Sequence, residues 1–116
     1  MSDDDLAGRI RRILAEDPNI GEVRMFGGLC FMLNGNMLVC ATRDGGLLAR
    51  IGEHAMPDAL KLPGASIMRM GGRDMKAYAH IASDGLDDAA LRHWIAAATT
   101  FVGPLPPKAR KDRSPA

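Results

Sequence analysis

The apolar positions recur first with the period of a helix, then of strands, then of a helix again. Over residues 3–16, Leu6, Ile10, Ile13 and Leu14 form one apolar stripe, and Arg9, Arg11, Arg12 and Glu16 cover the rest of the surface. Ser2 and the aspartates after it suit a helix N-terminus. Asp17-Pro18 ends the helix, because the residue before a proline avoids the α region. Val23 to Leu33 reads as a long strand, Asn34-Gly35 as a turn and residues 36–43 as the return. Asn-Gly between apolar runs is a strong hairpin signal, since a type I′ turn needs positive φ at both central residues. Residues 47–51, 66–70 and 75–82 read as three further strands. Residues 54–61 suit a short helix with Met56 and Leu60 on one side. A second long helix runs to about Val102, with Leu91, Trp94, Ile95, Ala98, Phe101 and Val102 as its stripe. Carboxylates between Asp84 and Asp88 cap it, and Gly103-Pro104 stops it. The pattern predicts an α+β fold, a five-stranded antiparallel sheet flanked by an N-terminal and a C-terminal helix. Residues 1–103 are expected to form one domain. Residues 104–116, rich in proline and basic side chains, are expected to be a disordered tail.

The hairpin is apolar on both sides. A two-residue turn at Asn34-Gly35 sets Leu33 opposite Asn36, Cys30 opposite Val39 and Leu29 opposite Cys40. One face then carries Leu29, Phe31, Leu33, Leu38 and Cys40. The other carries Phe26, Cys30, Met32, Met37 and Val39. In that register the two cysteines lie on opposite faces and cannot bond; a three-residue loop would make them partners. They are read as small buried hydrophobes with free thiols. Two apolar faces both need cover. Either one long helix lies on each face, or both share one and a partner meets the other. The second arrangement predicts a homodimer through a face rich in Met32, Met37 and Phe26.

Composition narrows the function classes. Fifteen basic and fourteen acidic side chains nearly cancel, which argues against a dedicated nucleic-acid surface. No apolar run approaches membrane-spanning length, and Met-Ser-Asp-Asp-Asp is neither a secretory signal nor a lipidation motif. A cytoplasmic, membrane-free protein is expected. Gly27-Gly28 has strand on both sides and opens no helix, so it is not a phosphate loop. It is read as a bend in the strand, or a place where a helix packs closely. His54, His80 and His93 have no partner at metal-ligand spacing. No nucleophile, base and orienter stand out. No catalytic residue, metal or cofactor is expected.

The run Arg-Met-Phe-Gly-Gly-Leu-Cys-Phe from Arg24, the Asn34-Gly35 turn and Gly46-Leu-Leu-Ala-Arg50 come in a distinctive order. So do the Met75–Tyr78 strand, the Leu91/Trp94 helix and the closing Leu105-Pro-Pro-Lys108. Together they resemble the N-terminal domain of the TfoX/Sxy competence regulators. The resemblance implies an α+β domain with helices beside one antiparallel sheet. It implies a bacterial, non-enzymatic role in regulating DNA-uptake genes through protein contacts, alongside a transcription regulator of the cyclic-AMP receptor type. The full-length regulators carry a second, helical domain, which a chain ending at Ala116 is expected to lack. The signature positions, and so the candidate interaction residues, are Met25, Phe26, Gly27, Gly28 and Arg50. The alternative is a nucleic-acid-binding accessory protein using the basic C-terminal tail, residues 108–113.

Overall fold

The computed structural model describes residues 2–25 and 27–107. Helix α1 spans Ser2–Ile13, and α3 spans Asp88–Val102. Between them run β1 (Ile20–Met25), β2 (Gly28–Leu33), β3 (Asn36–Ala41), β4 (Leu47–Arg50), the short helix α2 (Met56–Ala59), β5 (Ala65–Met70) and β6 (Arg73–Ile81). The fold is α+β, as expected, with six antiparallel strands rather than five, in the order β1-β2-β3-β4-β6-β5.

The sixth strand arises at the glycine pair. Val23 to Leu33 is not one bent strand. Met25 pairs with Gly28, so the chain reverses between β1 and β2. Gly27 has φ 74°, a conformation that an L side chain resists. The Asn34-Gly35 turn forms as expected, with φ 53° and 82°.

A bulge then corrects the hairpin register. Leu33 faces Asn36 and Met32 faces Met37, but beyond the bulge Phe31 faces Val39 and Cys30 faces Cys40. Leu38 and Val39 both turn into the main core, so one step of the alternation is lost. The two cysteines are therefore direct partners on one face, not residues on opposite faces. A second irregularity lies in β6. Ile67 faces Ala79, yet Met68 faces Met75. The carbonyl of Ala77, between these pairs, accepts both Ile51 N and Gly52 N at 3.0 Å.

All the helices among the described residues pack on one face of the sheet. Leu6, Ala7 and Ile10 of α1 join Met56 and Ala59 of α2 and Leu91, Trp94, Ile95, Ala98 and Val102 of α3. They meet Phe31, Leu33, Leu38, Val39, Ala41, Leu47, Ala49, Ala79 and Ile81 from the strands. Polar contacts fix the helices there. Arg11 grips Glu22 of β1 with bonds of 2.8 and 2.9 Å. Arg9 donates to the Leu86 carbonyl at 2.7 Å. Asp87 caps α3 by accepting Ala90 N at 2.8 Å. After α3, Leu105 packs on the core and the Pro106 carbonyl accepts Asn36 Nδ2 at 3.0 Å. Residues 108–116, with the basic tail, lie outside the described residues.

Candidate functional site

The face without helices carries the unusual chemistry. Its central register row crosses all six strands: Val23, Cys30, Cys40, Leu48, His80 and Ser66. Cys30, Cys40 and Leu48 are almost wholly shielded, and no helix among the described residues shields them. Met25, Met32, Met37, Met68 and Tyr78 fold over them from the surrounding positions. Long flexible thioethers suit that duty, because they fill irregular gaps and still adapt. The result is a small second core with a methionine-rich outer surface.

The two thiols at its centre share a hydrogen bond, with the sulfurs 2.7 Å apart. That bond lowers the Cys30 pKa. The same bond, then burial and the charge of a Cys30 thiolate, hold the Cys40 proton far above the usual thiol range. Next to Cys40 lies a cavity of about 430 Å³, also lined by Leu48, Met68, His80, Arg43 and Arg69. At its edge Asp44 accepts from Thr42 Oγ1, and from Gly46 N at 3.1 Å; His80 Nε2 stands 3.6 Å from its carboxylate. These contacts, the Thr42 hydroxyl first, hold the Asp44 carboxyl below its ordinary range. Leu48 separates Cys40 from His80 in the row. Two strand spacings, about 9–10 Å, therefore lie between their backbones, and the imidazole does not pair with the thiol. No group of three or more His, Cys, Asp or Glu side chains able to hold a metal occurs among the described residues.

The five signature residues divide. Met25 ends β1 on the open face and packs beside the cysteines. Phe26 lies outside the described residues. Gly27 and Gly28 do structural work. A Cβ on Gly27 would sit 2.8 Å from Arg43 Cδ, and one on Gly28 would sit 2.1 Å from the Ala41 carbonyl oxygen. Gly28 thus lets the turn press against the end of β3. Arg50 stands apart, at the opposite end of β4 from Leu47, the residue that pairs with Ala41. Its guanidinium lies 5.8 Å from the ring centroids of both Tyr78 and Phe101. Such contacts contribute about 0.5–2 kcal/mol. Its buried Nε has no hydrogen-bond partner among the described residues.

The sequence reading missed Val23, Leu48, Met68 and Tyr78 as members of this face, and the cysteine pairing at its centre. Only strand order unites the first four. The bulge at Leu38 gave no local signal, because Met37-Leu38-Val39-Cys40 is apolar throughout.

The family model for the TfoX N-terminal domain matches residues 12–102, most of the chain. The chain belongs to the TfoX N-terminal domain family. No significant match occurs among curated proteins or among solved structures. No helix among the described residues is long and apolar enough to cross a membrane.

Proposed function

We propose that the chain is a non-enzymatic regulatory module that works through protein contacts, and that the helix-free sheet face is its contact surface. One observation carries this reading: among the described residues every helix packs on one side, and no layer covers Met25, Met32, Met37, Met68 and Tyr78 on the other. Apolar surface of this kind marks interaction sites, and thioethers adapt to partners.

The first partner is a second copy of the chain, which pairs at the edge strand β1 bordering this face, extends the sheet and leaves the methionine surface open to a further partner. Val23, 44% exposed, lies on this face at the sheet's edge. Glu22 and Arg24 flank it. Two β1 strands paired antiparallel about Val23 set Glu22 of each copy against Arg24 of the other, a self-complementary match. The pairing also covers an otherwise open strand edge. Regulation of DNA-uptake genes beside a transcription regulator of the cyclic-AMP receptor type is the role the family membership suggests. The competing nucleic-acid reading rests on the basic tail, and nothing among the described residues adds to it.

Sedimentation or light scattering at micromolar concentration tests the self-contact. A dimer mass is expected, with Arg24→Glu giving monomer by setting carboxylates against each other. Arg24→Lys, which keeps the charge and leaves the Arg11–Glu22 pair intact, should still dimerise. A monomeric wild type, or an Arg24→Glu variant that dimerises equally well, would overturn it.

A further inference from the structure

Cys30 and Cys40 sit directly opposite each other on neighbouring antiparallel strands. Both are fully buried, and their sulfurs are 2.7 Å apart. Directly opposed cross-strand residues have Cβ atoms about 4.5–5.5 Å apart, and a disulfide needs about 3.5–4.5 Å, so a small local adjustment closes the gap. Around the pair are thioethers, a leucine and a tyrosine rather than a third ligand or an imidazole partner. Among the described residues of this cluster, the other sulfur is the one thiol or nucleophile that each cysteine meets. A cavity of about 430 Å³ abuts Cys40 on the open face, so a local opening of the methionine layer is enough to bring a small oxidant to the buried thiol.

We propose that Cys30 and Cys40 form an oxidation site, a dithiol that closes to an intramolecular disulfide on exposure to a peroxide. In the first step one thiol sulfur attacks an oxygen of hydrogen peroxide. The O–O bond breaks, one water leaves and a sulfenic acid forms. In the second step the other thiol attacks that sulfur. The S–S bond forms, the S–O bond breaks and a second water carries away the remaining thiol proton. Two thiols lose two electrons and peroxide gains them, so two waters and one disulfide balance the reaction. A thiol reductant reverses it by exchange through a mixed disulfide. The bond pins β2 to β3 beneath the methionine surface. This proposal stands whether or not that surface is a contact site.

The test uses the full chain. Both cysteines fall in one tryptic peptide, residues 25–43, because Arg24 and Arg43 are the flanking cleavage points. The folded protein is treated with a small excess of hydrogen peroxide, quenched, unfolded and alkylated, and this peptide is weighed. Oxygen added to Met25, Met32 or Met37 appears as separate mass increments. The expected result is a peptide lighter by two hydrogens, with neither cysteine alkylated and the protein monomeric on a non-reducing gel. Prior reduction should restore both alkylations. Cys30→Ser and Cys40→Ser should each lose the two-hydrogen change and leave a sulfenic acid that a dimedone-type reagent traps. Two alkylated cysteines after treatment would overturn the proposal. So would oxidation ending in sulfinic acid, or in disulfides between chains.

Discussion

Replacing Gly28 with alanine tests whether the glycine pair is architectural. The new Cβ would lie 2.1 Å from the Ala41 carbonyl oxygen and 3.1 Å from both Ala41 C and Thr42 Cα. The closest contact is about 0.9 Å short of the 3.0 Å that real Cβ atoms keep. Both sides of it are backbone, so no side chain can swing away. Relief requires β2 to part from β3 where Leu29 faces Ala41. Overpacking of this kind costs about 1–3 kcal/mol, and loosening one adjacent ladder bond adds about 1 kcal/mol. A loss near 3 kcal/mol is expected from urea denaturation. Gly27→Ala should cost less, about 1–2 kcal/mol for the left-handed backbone, because its nearest obstacle is the flexible Arg43 side chain. Gly21→Ala is the control. Nothing lies within 4 Å of its Cβ, and a gain of about 0.5 kcal/mol from the unfolded state is expected. If Gly28→Ala were as stable as Gly21→Ala, the steric account of the signature would fail.

Trp94, 1% exposed among Leu91, Ile95 and the strand residues, should lose about 3–5 kcal/mol on truncation to alanine. A denaturation midpoint unchanged from wild type would refute its place in the core. Asp44 has a depressed pKa in the folded chain, chiefly through Thr42, then Gly46 and His80. Its carboxylate therefore adds stability at pH values above its ordinary pKa of about 3.9, and that increment disappears as pH falls through the lower folded value. Asp44→Asn should lower the melting temperature slightly at neutral pH, and the two curves should converge in acid. A gap that widened below pH of about 3.9 would contradict the assigned contacts.

The helices were legible because a buried stripe and a solvated face leave a 3.6-residue period, and α3 presents nearly all of its expected stripe to the core. The Asn34-Gly35 turn was legible for a different reason, the backbone conformation that few residue pairs accept. The reversal at Gly27 was not. Its neighbour Phe26 carries no turn signal, and apolar residues on both sides mimic one continuous strand. The cysteine pairing failed for a single cause. Alternation assigns faces only if no residue is inserted, and a fully apolar run hides an insertion. Placing all the helices on one side was beyond the sequence too, since both hairpin faces were apolar and only packing chose between them.

The strand order also bears on how the chain assembles. Four of the five pairings join consecutive strands: β1 with β2, β2 with β3, β3 with β4, and β5 with β6. Only β4 with β6 spans a long stretch of chain. Local pairings close quickly because little loop entropy opposes them, and the distant one is slow. During synthesis the first four strands can zip together while β6 is still unmade. Until it arrives, β4 remains an open edge with Leu47 and Leu48 uncovered, and α3, which packs across β3 and β4, follows later still. The seam between β4 and β6 is thus both the final joint of the sheet and the point at which a half-made chain is most prone to pair with a neighbour.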